Sequence, residues 1–543
     1  MSTYLLERPL RVADPGARGW GLLLIVAAWS ALAANTAFGF VSLTIPRLLL
    51  IVFAVPIVLV GAALFHRGGE DRALQLAAAW SALLLAALFA GVLVDVEPVI
   101  ALVVPAVVVS AVVCARRPAA AVITAFFVTG SFGTLEALTP VPAGETVDMV
   151  LAGLWGGVLW GYLFGRRERP SWVWPGIALA VVYVVVTAVA VVWAEPVFGG
   201  LFGFRASAWY MAAFLLLAYA RWDAPTHKRI ATGFVGVAAL VGGYATFRWI
   251  AGPAGAEEDL ALSVNPEYQY LYGELVVFGS FPGGKNLAAW TAVAIPFCVA
   301  FALTFRDRWR FVAAVAAGLC AVGLLGSEAR AGFVGAVAGI ALVLVLYQLS
   351  KGVPGLHLGV TAAAVAVIVG VGALVFTQKD EGSLERYTVL VEDPTSVPSY
   401  QARLFKWNNA LDDIDRHPLG HGIGTSGIAE QRYRRFTTIA SSNLDNSYLK
   451  VAYEQGLFVL VLFALAVVGL LTGLVRRSIF ATDRQRAGLA IGGAGAMAAL
   501  GIIMFSGMYV EGLTALAAWM LVGLGVAQFT STPEDAPDAA PAR

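Results

Sequence analysis

Between Arg403 and Tyr448 the chain gathers most of the side chains able to hold an anion or move a proton. Arg403 and Lys406 stand one helical turn apart. Trp407, Asp413, Asp415, His417, a Gly420-His421-Gly422-Ile423-Gly424 turn and Asp445-Asn446-Ser447-Tyr448 follow. Guanidinium and ammonium groups neutralise phosphate charge, arginine with a planar fork that meets two oxygens at once. A carboxylate or imidazole beside them supplies general-base chemistry, with Asp445 the first candidate and His421 the second. Each feature also has a purely structural reading. Asp445 suits the N-cap of the helix that follows, and His417, directly before Pro418, suits a helix end. Gly422 and Gly424 either offer exposed amides to an anion or a sugar, or simply make a turn. Asp413-Ile414-Asp415 has the spacing of a metal-binding carboxylate pair, but on a helix the two point about 200° apart, which favours a solvated face.

These residues need elements to position them. Leu404, Trp407, Leu411 and Ile414 recur at helical spacing, so the segment 400–416 is expected to be an amphipathic helix ending before Pro418. Around it the composition is that of a membrane protein: 59% of the 543 residues are hydrophobic and 13% charged, against about 25% charged in soluble domains. That excludes a soluble multidomain enzyme, a disordered protein and a nucleic-acid binder. The net charge of +1 points to no partner other than the bilayer. Cys114, Cys298 and Cys320 all lie in apolar runs, so no disulfide framework is expected. Apolar runs long enough to span begin near residues 19, 41, 73, 98, 119, 149, 172, 204, 230, 287, 310, 331, 356, 447, 487 and 509. The expectation is an all-α, polytopic transmembrane helix bundle of about 16 spans.

Every second loop is basic, from Arg67/Arg72 to Arg476/Arg477/Arg484/Arg486, while the alternate loops carry Asp95/Glu97, Glu145/Asp148, Glu195 and Glu257/Glu258/Asp259. The positive-inside rule then puts both termini in the cytoplasm. Residues 1–530 read as one transmembrane domain with two long outer segments, 252–285 and 378–446, the second an ordered lid. Residues 531–543 read as a disordered tail. Against this asymmetry, Arg47, Arg248, Lys285, Arg330, Arg403 and Lys406 are basic residues at the outer level. Snorkelling or local ion pairs explain any one of them, whereas a cluster suits a diphosphate.

Four ordered elements carry a family resemblance: Gly279-Ser-Phe-Pro-Gly-Gly-Lys285-Asn286; Ser327-Glu-Ala-Arg330; Arg403…Trp407-Asn-Asn-Ala-Leu…His417-Pro-Leu-Gly-His-Gly-Ile-Gly424; and Asp445-Asn-Ser-Tyr448-Leu-Lys…Glu454-Gln-Gly456. Together they resemble the signature region of the O-antigen ligase and O-antigen polymerase superfamily. The resemblance implies a helical membrane fold related to the GT-C glycosyltransferases, with its active site on the outer face of the plasma (inner) membrane. It implies metal-independent, inverting transfer of a glycan from a polyprenyl-diphosphate carrier to an acceptor hydroxyl on a glycan or lipid-glycan, with no cofactor. Arg330 and Arg403 would hold the diphosphate, with Arg47 and Lys285 as further cations. Asp445 stands where a ligase has histidine, which leaves polymerase-like members as well as ligases open. Asn286, Trp407, His417, Gly422, Gly424, Asn446 and Tyr448 would support the site, and Tyr268, Tyr270 and Tyr272 are candidate sugar platforms.

Other readings stay open on the sequence: a transporter or flippase of lipid-linked glycans, a peptidoglycan polymerase of the shape-and-division type, or a membrane scaffold. A transporter is expected to line a midplane path with charge, whereas here the unusual polar groups sit at one level.

Overall fold

The computed structural model describes residues 117–138, 143–163, 174–220, 222–264, 270–271, 274–351, 398–427, 429–430, 444–481, 483–507, 509 and 512–527. Arg47, the spans expected from residues 19, 41, 73, 98 and 356, the remainder of the 378–446 segment, Tyr268, Tyr272 and the 531–543 tail lie outside these residues. Contacts divide the chain into two units, residues 1–118 with 152–169 and residues 119–151 with 170–543. Among the described residues the first unit consists chiefly of the second half of the helix Ala143–Leu163, and the second unit holds the remaining helices.

The helices are α1 (Pro118–Leu138), α2 (Ala143–Leu163), α3 (Pro175–Ala190), α4 (Val197–Phe204) and α5 (Tyr210–Tyr219), then α6 (Ala224–Ala251), α7 (Gly255–Val264), α8 (Gly284–Thr304), α9 (Trp309–Gly326) and α10 (Arg330–Ser350). After them come α11 (Pro398–Arg416), α12 (Ser447–Gln455), α13 (Leu457–Phe480), α14 (Arg484–Ile503) and α15 (Leu513–Val526). A two-residue antiparallel ladder, β1 (Tyr270–Leu271) with β2 (Glu274–Leu275), lies between α7 and α8. Nine helical stretches among the described residues are long and apolar enough to cross a membrane, and Val147–Val158 and Leu513–Val526 are shorter apolar helices. The chain is an integral membrane protein.

Helix ends follow the local chemistry. Asp223 caps α6 through the Thr226 amide, and Asp483 caps α14 through Gln485 and Arg486. Two expected spans are redrawn. The run expected to span from residue 447 is split at Gly456, whose φ of +89° breaks the helix, leaving α12 as a short separate element before α13. The span expected from residue 509 begins at Leu513, so residues after Ile503 form a connection that carries Tyr509.

Small residues set the packing at the centre. A β-carbon on Gly332 of α10 would lie 2.9 Å from Ala288 of α8, and one on Gly335 would lie 3.0 Å from the Ala499 carbonyl of α14. Backbones therefore approach closely, as membrane helices do when apolar burial alone gives no net drive. Helices α8 and α14 are mostly buried, whereas α13 exposes most of its apolar surface. The starts of α8, α10 and α12 and the end of α14 gather at one end of this bundle.

Candidate functional site

Helix α11 lies across that end, and its own periodicity decides what it brings there. Ala410 and Ile414 are buried against Leu444, Ala452 and Tyr453. Trp407 continues the stripe, and its indole N–H donates to the Leu444 carbonyl at 2.9 Å. Leu411, expected on this stripe, is instead half exposed. At 100° per residue it sits about 60° from Ile414 and about 100° from Ala410, on the flank of the buried face.

The indole tie sets Lys406 against the residue after Leu444. Lys406 Nζ lies 3.7 Å from Asp445 Oδ2, both side chains being largely shielded. Lys285 lies in the first turn of α8. Tyr509, from the connection after α14, donates its hydroxyl to the Lys285 carbonyl at 3.4 Å. Burial pushes the Tyr509 hydroxyl up to about 12, with Arg403 opposing that rise and Asp445 adding to it. It therefore stays a donor at neutral pH. The Lys406–Asp445 pair, with Arg403 one turn earlier on α11, and Lys285 with Tyr509 thus stand at the corner where α8 begins, and the helix dipole there also favours an anion.

Asp445 is not the N-cap of α12. Asn446 is: its side-chain oxygen accepts from the Tyr448 and Leu449 amides at 2.9 and 3.1 Å. Asp445 sits one residue earlier at φ +47°, a left-handed conformation uncommon for a residue with a side chain. Its carboxylate is turned to Lys406, so the capping role open to it on the sequence passes to its neighbour. Ser447 and Tyr448 anchor this corner. The Ser447 amide and hydroxyl donate to the Met504 and Gly507 carbonyls at 2.8 Å each, and the Tyr448 hydroxyl donates to the Gly501 carbonyl at 3.1 Å. Burial pushes the Tyr448 hydroxyl up to about 12 as well, so it remains a structural donor.

Arg330 opens α10 two residues before Gly332, which packs on Ala288, so the start of α10 lies beside the first turn of α8. The Val277 amide donates to the Gly326 carbonyl at 3.0 Å and fixes the preceding turn. Arg330 is half-buried, as is Asn286 in the first turn of α8. Arg248 is taken up elsewhere: it pairs with Glu257 at 3.1 Å and with the Tyr244 hydroxyl.

His417 and His421 follow the end of α11 and meet its second half. His421 Nε2 lies 3.1 Å from Asp413 Oδ2, and the His417 and His421 rings are 4.5 Å apart. Asp413 is seven residues past Lys406, about 10 Å of helix. The contacts of His421 are with Asp413, His417 and Tyr453. The glycine turn is not the open anion nest considered for it. The Gly420, His421 and Gly422 amides donate to the His417, Tyr453 and Glu454 carbonyls. Gly424, at φ +79°, has no room for a side chain, because a β-carbon there would meet the Gly199 carbonyl at 2.1 Å. Behind the turn lies a buried ion pair, Lys450 Nζ to Glu454 Oε1 at 2.7 Å; the Ser426 amide and hydroxyl donate to the same oxygen at 3.0 Å.

Two site-level residues are not singled out by the sequence. Hydropathy places Tyr509 inside a span. Arg205 lies in a π-helical turn between α4 and α5 and pairs with Asp148 of α2. A lone arginine in an apolar run is the available signal for it. Lys406, by sequence only one of several outer-level cations, proves to be the ion-pair partner of Asp445.

A comparison with curated proteins returns no match. A family model described as O-antigen ligase matches residues 315–464, a stretch that contains Arg330, α11, the glycine turn, Asp445 and α12. Lys285 and Asn286 precede it. That match, falling on the segments that build the group above, supports assignment of the chain to the O-antigen ligase/polymerase family.

Proposed function

We propose that this chain is a membrane glycosyltransferase that moves a glycan from a polyprenyl-diphosphate carrier to an acceptor hydroxyl at the outer face of the inner membrane. The carrying observation is the Lys406–Asp445 pair, 3.7 Å apart, with Arg403 one turn earlier on α11, at a corner that Ser447 and Tyr509 tie to the start of α8 and Lys285. Three cations around one carboxylate leave an excess of positive charge for a diphosphate. Arg330, at the neighbouring start of α10, is a further ligand for it.

In this reading the acceptor oxygen bonds to the anomeric carbon as the bond from that carbon to the diphosphate oxygen breaks. The bond's electron pair leaves with the diphosphate, whose developing charge the guanidinium and ammonium groups neutralise. The acceptor proton passes to the Asp445 carboxylate. Attack opposite the leaving group inverts the anomeric centre. Lys406 holds the Asp445 carboxylate in place until the acceptor arrives.

Asp445→Asn tests this assignment. Because Asn446 holds the cap, the substitution leaves helix α12 capped while removing the base. Purified Asp445→Asn protein should keep its fold and bind the lipid-linked donor, yet transfer about 10²–10⁴-fold more slowly. Near-wild-type transfer would remove Asp445 from the mechanism.

A further inference from the structure

We infer that Asp413, His417 and His421 form a binding site for a divalent transition-metal ion of the zinc class, one that pins the end of α11 to the glycine turn. One ligand atom from each of the three residues lies within 4.8 Å of the other two. His417 Nδ1 is 3.3 Å from Asp413 Oδ1, and His421 Nε2 is 3.1 Å from Asp413 Oδ2. Bonds of about 2.0–2.2 Å from zinc to nitrogen and oxygen place tetrahedral ligands about 3.3–3.5 Å apart, so the two nitrogens already stand near coordination distance of the carboxylate.

The orientation of His421 separates this from an ordinary histidine–aspartate hydrogen bond. Its Nε2 is buried and, despite the short distance, makes no hydrogen bond among the described residues. A nitrogen that is near a carboxylate but not aimed along a hydrogen bond suits two ligands directed at a third body. Tyr453 holds the residue there: its ring packs on the imidazole at 4.5 Å, and its carbonyl accepts from the His421 backbone amide at 2.9 Å. The competing acceptor for His417 Nδ1 is the Asp413 carbonyl at 3.2 Å. Two imidazoles and one carboxylate match zinc in ligand type and leave a fourth position toward solvent, since His417 is exposed.

The ion would be structural. It sits on the half of α11 opposite the Lys285–Asp445 group, and no step of the proposed transfer passes through it. By joining residues 413 and 417 to 421, it would lock the corner at Pro418 that delivers the glycine turn to α12. The zinc site does not depend on the glycosyltransferase reading, and its test does not read activity.

The test is zinc binding to tag-free, full-length protein in detergent, stripped with a chelator, titrated at neutral pH against a chromophoric zinc chelator. One zinc ion per chain is expected, with affinity at least about tenfold weaker in both Asp413→Asn and His421→Asn. Zinc should also raise the thermal transition of the wild type and not that of the variants. If either variant folds poorly, the exposed His417→Gln serves in its place. The inference is overturned if the folded wild type takes up no stoichiometric zinc, or if the variants bind it equally well.

Discussion

The two halves of helix α11 both carry charged residues and use them in opposite ways. The first half carries Arg403 and Lys406, and Lys406 meets Asp445 before α12, at the corner that Lys285 on α8 and Tyr509 after α14 share. The second half turns Asp413 onto His417 and His421 from its own continuation, and the following turn is stitched to the end of α12 by backbone hydrogen bonds. One half therefore has a net positive excess contributed by elements distant in sequence. The other has an acidic excess, Asp412, Asp413 and Asp415 against Arg416, and turns Asp413 onto the imidazoles that follow the helix end. Charge alone does not mark a site; charge left uncompensated where several helix ends meet does.

The anchored half can be broken from behind. Lys450→Met strands Glu454 in a buried position, where its Oε1 also accepts from Ser426, and should cost about 3–5 kcal/mol of stability. Denaturant unfolding of the purified protein checks this, and restoring much of the loss by adding Glu454→Met would locate the damage in the unpaired charge. The next largest effect belongs to the other half. Arg403→Lys keeps the charge and removes the fork, so transfer should fall about tenfold to a hundredfold in a lipid-linked donor assay with the fold intact. Asn446→Ala should cost about 0.5–2 kcal/mol through loss of the α12 cap, a larger stability change than Asp445→Asn produces. Smallest of all is Asp415→Asn. This exposed residue is the second carboxylate of the D-x-D spacing, and its loss should leave stability within about 0.5 kcal/mol and transfer unchanged.

The bundle is legible in the sequence because each apolar run reports its own length, and runs near 119, 230, 287, 310 and 331 correspond closely to α1, α6, α8, α9 and α10. Arg403 and Asp445 are legible by type and by family resemblance. Hidden from the sequence is anything set by geometry between residues or by a single backbone angle. Hydropathy averages Lys450 and Glu454 into an expected span, although their pairing within one helical turn is what allows their burial. The same averaging hides Tyr509, which lies in a connection. Spacing cannot decide between Asp445 and Asn446 as the cap, because the choice depends on Asp445 adopting φ +47°. Nor can spacing show that one helix presents Lys406 to Asp445 while turning Asp413 to His417 and His421.

The most direct measurement of the central claim compares two arginines of α11. Arg403 lies in the group around Asp445, and Arg416 is exposed in the last turn, thirteen residues and about 20 Å further along. Replacing either with Ala removes the same charge from the same helix. Equilibrium binding of a polyprenyl-diphosphate-linked glycan to folded protein should weaken at least about tenfold for Arg403→Ala, a loss of about 1.4 kcal/mol or more, and stay within about twofold of wild type for Arg416→Ala. Equal affinities for all three proteins, or equal losses in both variants, would contradict the placement of the diphosphate at the start of α8.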